Sequence, residues 1–237
     1  MFKDALETAF QAMAIPLSPT QVTQFCTFHD LLIETNKVMN LTAITDPTEV
    51  AIKHMADSVS CYDGAYFKEG ATVLDVGTGA GFPGVPLAIL RPDLQITFFD
   101  SLQKRLTFLE RVVTALRLPN CAFLHGRAEE MAHQPAYREA FDIVTSRAVA
   151  RLPVLTEWAL PYVKVGGYFI SLKGAQYQEE CDESKNALAI LGGTLKEVRP
   201  VALPGLDDRR AVIYIKKVKP SPKKYPRKPK MATKNPL

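Results

Sequence analysis

The sequence predicts an α/β fold with a seven-stranded, mostly parallel sheet whose last strand is antiparallel. From Thr72 onward, apolar runs of strand length alternate with helix-length segments, whereas no strand pattern precedes that point. Strand–helix–strand units of this length place their strands parallel and right-handed. The last two strand candidates are separated only by Pro204–Asp208, which is too short for a helical crossover, so they should be antiparallel neighbours.

The first part of the chain predicts a layer of three helices. Apolar residues from Phe2 to Met13 recur at helical spacing. Ser18 and Asp46, each followed by a proline, supply N-caps for the next two helices. We therefore assign residues 1–62 to an N-terminal helical cap, with helices expected over 2–14, 18–37 and 48–61.

The sheet domain is expected over residues 63–218. Its strands are predicted at 72–76, 96–100, 121–126, 141–146, 167–173, 195–202 and 211–217. Its helices are predicted at 85–90, 103–117, 128–133, 151–162 and 176–191.

Composition narrows the class of protein. A hydrophobic fraction of 47% supports a proper core, and no apolar run approaches the ~18–20 residues of a membrane span. The N-terminus lacks the pattern of a secretion signal. Four scattered cysteines are expected to be free thiols in the cytoplasm, and no His/Cys spacing suggests a metal site.

Charge is distributed unevenly along the chain. No acidic residue follows Asp208, whereas nine basic residues lie at or after Lys216. Residues 219–237 are rich in Lys and Pro, so we expect a tail that stays extended and mobile until it binds a polyanion. The basic residues taken as its contacts are Lys223, Lys224, Arg227 and Lys228.

The stretch Thr72–Gly84 carries the strongest functional signal. A short apolar run with Asp75 near its end breaks into four glycines over eight positions, including Gly77 and Gly79. In an open α/β sheet a nucleotide-like cofactor binds at such a strand end.

Three interpretations of this loop compete: a plain tight turn, a dinucleotide site and an S-adenosylmethionine site. The segment Gly79–Gly84 matches G-x-G-x-x-G, and Asp100 closes the next strand where a ribose-binding acid would lie. However, Pro83 delays the helix that should face a pyrophosphate, and Asp75 would repel one. An acid there suits the ammonium of an amino-acid moiety, so the pattern resembles class I S-adenosylmethionine methyltransferases.

Other strand ends add candidates on the same rim. Ala128 and Glu129 follow the third strand and are placed to hold an adenine, or they merely begin a helix. Arg147 and Arg151 follow the fourth strand, and Lys173 ends the fifth. Arginine suits phosphate contacts and stacking on bases, although a solvated helix start is the plain alternative.

The helical layer contributes two polar groups. Residues 36–42 form a polar loop in which Asn36, Lys37 and Asn40 are substrate candidates or C-cap residues. His54, Asp57 and Ser58 share one helical face, which does not give the geometry of a hydrolase triad. The favoured interpretation of the second group is a hydrogen-bonded contact between the helical cap and the sheet domain.

Together these segments resemble one family, the glucose-inhibited division protein B family of bacterial ribosomal small-subunit methyltransferases G. The matching motifs are Asn36-Lys-x-x-Asn-Leu-Thr42, Lys53-His-x-x-Asp-Ser58, Asp75 to Gly84, Asp100-Ser101, Arg127-Ala-Glu129, Arg147-Ala-Val-Ala-Arg151 and Lys224-Tyr-Pro-Arg-Lys-Pro229. The tail departs from the family pattern after Pro229, which leaves its path open.

The resemblance implies methyl transfer from S-adenosylmethionine to N7 of one guanine in 16S ribosomal RNA. Cofactor contacts are then expected at Asp75, Gly77, Gly79, Phe82, Asp100, Ser101, Ala128, Glu129 and Arg147. Guanine N7 carries no proton, so no general base is expected. Arg147 and Arg151 would border the target nucleotide, while Lys173 and the tail would grip the RNA backbone. A protein or small-molecule acceptor and an idle RNA-binding scaffold are the alternatives, and a monomer is expected.

Overall fold

A computed structural model describes all residues, 1–237, and begins with the predicted helical layer. This layer comprises α1 (Phe2–Ala12), α2 (Pro19–Met39), α3 (Pro47–Glu49), a π-helical stretch (Val50–Ala56) and α4 (Asp57–Val59). The hydroxyl of Ser18 accepts from the Gln21 N–H, and the Gln21 side chain accepts from the Ser18 N–H, which is the capping box the sequence predicts. The last three elements are consecutive, so the helix predicted over 48–61 forms with π-helical turns at its centre.

Seven strands form one sheet in the order β3-β2-β1-β4-β5-β7-β6. The strands are β1 (Thr72–Val76), β2 (Gln95–Asp100), β3 (Cys121–His125), β4 (Phe141–Arg147), β5 (Val163–Lys173), β6 (Gly193–Pro200) and β7 (Ala211–Lys217). Strands β1 to β5 pair in parallel, and β7 runs antiparallel to both of its neighbours. The predicted seven-stranded sheet with an antiparallel last strand is confirmed.

Helices connect the strands and cover both faces of the sheet. They are α5 (Gly84–Leu90), α6 (Gln103–Leu116), α7 (Ala128–Met131), α8 (Leu152–Ala159), a 3-10 turn (Leu160–Tyr162), α9 (Tyr177–Glu183), α10 (Lys185–Leu191) and the terminal α11 (Met231–Lys234). The helix predicted over 176–191 is two helices separated at Ser184, whose hydroxyl donates to the Glu180 carbonyl. No helix is long and apolar enough to cross a membrane.

Two hydrophobic clusters fill the molecule, one on each face of the sheet. The first joins Phe25 and Phe28 of the helical layer to Val73 and Phe98 of the sheet. The second packs α8 and α10 against the other face, where Tyr162 and Phe169 are fully buried. The helical layer therefore shares one core with the sheet rather than having a core of its own.

The basic tail differs from the expectation that it is extended and mobile until bound. Tyr225 and Ser221 are buried, and the Arg138 guanidinium donates to the Ser221 and Tyr225 carbonyls. Arg227 forms an ion pair with Glu157 at 2.7 Å, and the Glu157 side chain is only 1% exposed. The sequence predicts detachment from charge and proline content alone, whereas these buried partners come from distant segments.

Candidate active site

The glycine loop is organised around the carboxylate of Asp75. This side chain is fully buried and accepts from the Thr78 hydroxyl at 2.6 Å, the Gly84 N–H at 3.0 Å and the Thr145 hydroxyl at 3.3 Å. Burial raises its pKa to about 6, although the three donors oppose that rise. Asp75 thus holds the turn through these three hydrogen bonds, and its contact with the cofactor stays a prediction.

Asp100 ties the second strand to the same loop. Its Oδ2 accepts from the Gly79 N–H at 3.0 Å and from Arg105 at 3.2 Å, and its Oδ1 accepts from the Leu102 N–H. The helix after the loop begins late, at Gly84, the last residue of the glycine motif, with Pro83 at its N-cap position. Gly79 and Gly81 therefore lie in the loop that precedes this helix.

A cavity of about 280 Å³, here called the glycine-loop cavity, opens at the ends of β1, β2 and β3. Five of the predicted cofactor residues line it: Gly77, Asp100, Ser101, Ala128 and Glu129. Gly77 has φ +69°, and a Cβ there would lie 2.5 Å from Val149, so the close approach of these segments requires glycine. The sequence did not single out Arg105, Gly126, Val149 or Trp158, which also line it.

A second cavity of about 540 Å³, here called the arginine cavity, lies beside the first. It is lined by residues of the helical layer, of the segment after β4, of β5 and of β7. Its basic lining residues are Lys53, Arg147, Arg151, Lys173 and Arg210. Ala148 and Val149 line both cavities, so the cavities meet at these two residues, here called the wall.

Arg147 connects the helical layer to this wall. Its guanidinium donates to Asp57 at 2.8 Å, to the Lys53 carbonyl at 3.0 Å and to His54 Nδ1 at 3.3 Å. It also lies over the Phe82 ring, 4.8 Å from the centroid. The predicted contact between cap and sheet is confirmed.

His54 is held as a neutral ring. Burial and the adjacent Arg147 charge lower its pKa to about 4. Its Nε2 lies 2.7 Å from the Thr42 hydroxyl, and its ring stacks on Phe82 at 4.6 Å. Because Arg147 donates to Nδ1, a neutral ring with its proton on Nε2 satisfies both contacts.

Asp57 joins two arginines at the cavity edge. Its Oδ2 accepts from Arg147, and its Oδ1 accepts from Arg210 at 2.7 Å. Arg210 comes from the start of β7 and was not predicted from sequence, because its position opposite Asp57 depends on the antiparallel strand.

The other two predicted cations differ in exposure. Arg151 is 44% exposed on the rim and pairs with Glu183 at 2.7 Å. Lys173 is 7% exposed and pairs with Glu180 at 2.7 Å, while also donating to the Ala150 carbonyl. Burial lowers the pKa of Lys173, and the Glu180 carboxylate opposes that shift. The Lys173 ammonium is thus buried among protein groups, whereas the Arg151 side chain bonds to Glu183 and Gln176 and remains partly exposed.

Several predicted residues lie outside both cavities. Asn36 accepts from the Leu41 and Thr42 N–H groups, and Asn40 ends α2 in the left-handed region, so both act as C-cap residues here. Lys37 is exposed nearby. The Phe82 ring lies under the Arg147 guanidinium, and the Gly79 N–H donates to Asp100. Lys223, Lys224 and Lys228 are exposed in the tail.

The residues that line the glycine-loop cavity fit S-adenosylmethionine. The carboxylate of Asp100 suits ribose hydroxyls, and the side-chain-free Gly77 allows close approach of the backbone. Ala128 and Glu129 lie at the third strand end, where an adenine would reach. Arg147 lies on the other side of the two-residue wall.

Comparison with known proteins places the chain in a family. The model of the rRNA small subunit methyltransferase G family (GidB) matches residues 21–209. The chain is 47% identical over 235 residues to a protein named Ribosomal RNA small subunit methyltransferase G from Alkaliphilus metalliredigens, covering 99% of this chain and 98% of that protein. A protein of the same name from Lachnoclostridium phytofermentans is 51% identical over 217 residues, covering 92% and 90%.

A solved structure supports the fold separately. A SAM dependent methyltransferase from Aquifex aeolicus superposes with a TM-score of 0.50 at 20% identity, covering 67% of this chain and 92% of that one. The chain therefore belongs to the rRNA small subunit methyltransferase G family, and its fold is that of the class I S-adenosylmethionine-dependent methyltransferases.

Proposed function

We propose that this protein transfers a methyl group from S-adenosylmethionine to N7 of one guanine in 16S ribosomal RNA. The observation that carries the proposal is the pair of adjoining cavities at the strand ends, which share Ala148 and Val149. One cavity has the donor set for the cofactor, and the other is basic and large enough for a nucleotide. The family membership supports an RNA acceptor in the small subunit.

The reaction needs no general base. S-adenosylmethionine supplies an electrophilic methyl group. The N7 lone pair would form the new N–C bond while the C–S bond breaks, and the electron pair of that bond would stay on sulfur. Guanine N7 has no proton to lose, so the positive charge moves from sulfur to the purine ring. The protein therefore contributes mainly by aligning the two bound groups where the cavities meet, so that N7 and the methyl carbon come into contact.

The chain's own residues have distinct parts in this alignment. Asp75 and Asp100 fix the glycine loop from below and from the side through hydrogen bonds to Gly84 and Gly79. Arg147, held by His54 and Asp57, fixes the segment that begins the wall. These contacts leave little freedom in the strand ends, as preorganised catalysis requires.

The RNA is gripped by cations that remain exposed. Arg151 lies on the rim of the arginine cavity, and Lys223, Lys224 and Lys228 project from the packed tail. Exposed Lys and Arg side chains bind RNA phosphates with little dependence on the nucleotide sequence. The partner is 16S ribosomal RNA or the small ribosomal subunit, which places the enzyme in the cytoplasm, where we expect it to act as a monomer.

The decisive experiment uses methyl-labelled S-adenosylmethionine with small subunits from cells that lack this protein. Digestion to nucleosides should yield labelled 7-methylguanosine, and mapping should find one site. Label in a protein or in a small molecule instead would point to the alternative acceptor. Cofactor binding without any transfer to RNA would indicate an idle scaffold.

A further inference from the structure

We infer that Glu180 reads the Watson–Crick edge of the target guanine in the arginine cavity. This inference rests on the proposed function and deepens it by naming a residue that selects the base. Only two carboxylates line the cavity, Asp57 and Glu180. Both Asp57 oxygens are taken by arginines, Oδ1 by Arg210 and Oδ2 by Arg147.

Glu180 is fixed through one oxygen only. Its Oε2 accepts from the Leu152 N–H at 2.7 Å and pairs with the Lys173 ammonium at 2.7 Å. Its Oε1 has no hydrogen-bond partner within the protein, although the side chain is only 11% exposed. A carboxylate held this way offers an oriented acceptor to the cavity.

The chemistry requires such a reader because N7 alone does not identify guanine. Adenine carries the same exposed N7 acceptor. The two purines differ on the opposite edge, where guanine presents N1–H and N2–H donors and adenine presents an N1 acceptor. A carboxylate there attracts guanine and repels adenine, and an unmatched group in such a site costs far more than a lost contact in water.

The same carboxylate would also act on the rate. Methyl transfer moves positive charge onto the purine ring, which strengthens the N1–H and N2–H donors as the reaction proceeds. An acceptor opposite them is therefore bound more tightly in the transition state than in the ground state, which lowers the barrier. Glu180 should thus influence kcat as well as base choice.

The test compares guanosine with inosine at the target position, because inosine lacks only the N2 amino group. Small subunits are reconstituted with 16S RNA ligated to carry either base, and kcat/KM is measured for the wild type, Glu180→Gln and Asp182→Asn. Asp182 lies on the same helix and pairs with Lys185 at the surface, so it is a matched control.

The wild type and the control should lose roughly 10- to 100-fold on inosine. Glu180→Gln should already be slower on guanosine and lose much less on changing to inosine. An equal loss in Glu180→Gln and the wild type would overturn the inference. The inference would also be overturned if the wild type methylated guanosine and inosine equally well, a result that requires no variant.

Two further measurements distinguish a wrong role for Glu180 from a misfolded variant and from a wrong proposed function. Glu180 does not line the glycine-loop cavity, so calorimetric cofactor binding by Glu180→Gln should match the wild type if the variant is folded. A wild type that forms no 7-methylguanosine on guanosine-containing subunits would refute the proposed function itself. A wild type that forms it without discriminating the bases would refute only the role of Glu180.

Discussion

Several side chains that were predicted to contact the cofactor or the RNA form hydrogen bonds or ion pairs with other groups of the protein. Asp75 occupies the position where an amino-acid ammonium was expected, yet it is fully buried and satisfies three donors of the loop. Lys173, which is predicted to contact the RNA backbone, forms an ion pair with Glu180, and its contact with RNA stays a prediction. The sequence shows which charged residues lie near the strand ends. It does not show which partner each side chain contacts, because that depends on buried neighbours from distant segments.

Replacing Asp75 should separate its charge from its hydrogen bonds. Asp75→Ala leaves the Gly84 N–H and the Thr78 hydroxyl without an acceptor and should lower the free energy of unfolding by about 2–4 kcal/mol. Asp75→Asn keeps an acceptor for them and should remain within about 1 kcal/mol of the wild type. Urea denaturation at pH 7 measures both, and equal stability of the two variants would contradict the prediction.

The buried charge also predicts a pH dependence with a definite sign. The pKa of Asp75 is raised in the fold, so the native state keeps its proton longer than the unfolded chain does. Its contribution to stability is complete below about pH 4 and is lost as pH rises to about 6. The unfolding free energy of the wild type relative to Asp75→Asn should fall over that window, and a flat difference would show an unperturbed carboxyl.

Arg151 offers the cleanest test of RNA engagement because it is exposed and its removal leaves no buried charge. Arg151→Ala should lower kcat/KM for subunit methylation by more than tenfold, since a rim cation that meets the nucleotide is lost. Cofactor affinity should not change, because Arg151 does not line the glycine-loop cavity. Arg111→Ala on α6 is the control, and unchanged turnover of Arg151→Ala would remove this residue from the site.

Among the elements, the π-helical stretch Val50–Ala56 and the segment after β4 are mutually dependent. Lys53, His54 and Asp57 all contact Arg147, although they lie 90 or more positions before it in the chain. The sequence predicted a helix here and a contact with the sheet, but it did not predict π-helical turns. Such turns alter the angular spacing of side chains, which spacing rules based on the α-helix do not reproduce.

This connection between elements should weaken in acid. The pKa of His54 is lowered to about 4 from 6.5, so its contribution to stability is present above pH 6.5 and is lost as pH falls towards 4. The loss from pH 7 to pH 5 should approach about 2 kcal/mol, since each pKa unit is worth about 1.4 kcal/mol. His54→Gln should not show this loss when urea denaturation is compared at the two values, and a parallel loss in both proteins would assign it to other groups.

Strand order and element type could be predicted, whereas the boundaries of several elements could not. β5 begins at Val163, four residues before the predicted start, and the helix predicted over 151–162 ends in a 3-10 turn. The cavity residues that the sequence did not indicate, Arg105, Trp158 and Glu180, lie on helices between the motifs. Their chemistry is ordinary until the fold brings them to the strand ends.

At the scale of the whole molecule, the tail provides partners for buried charged groups and also presents exposed basic residues. Glu157 is fully buried, and Arg227 supplies both a backbone N–H and a guanidinium to it. Lys217 is also fully buried and donates to the Ser221 hydroxyl and the Leu160 carbonyl. The net charge of the tail predicted an extended, mobile segment, because net charge does not show which charges form ion pairs with the rest of the chain.

Two tail variants should therefore behave differently. Deleting residues 219–237 strands Glu157 without a partner and should cost about 3–5 kcal/mol of stability. Changing Lys223, Lys224 and Lys228 together to Gln should leave the melting temperature within about 2 °C of the wild type, because all three side chains are exposed.

RNA binding provides the second readout for these variants. The triple Gln variant should bind a 16S RNA fragment more weakly, and the slope of log affinity against log salt should fall by about 2–3. Fluorescence anisotropy at several salt concentrations measures this slope. A tail deletion as stable as the wild type, or a triple variant with an unchanged slope, would contradict the two roles assigned to the tail.

The two-residue wall of Ala148 and Val149 has a consequence for inhibition. Because so little protein separates the cavities, a compound that joins adenosine to a purine through a short linker should span both. Once one end is bound, the other is presented at a high effective concentration, so such a compound should bind far more tightly than either half alone. Its selectivity would come from the purine end, since many other enzymes accept the adenosine end.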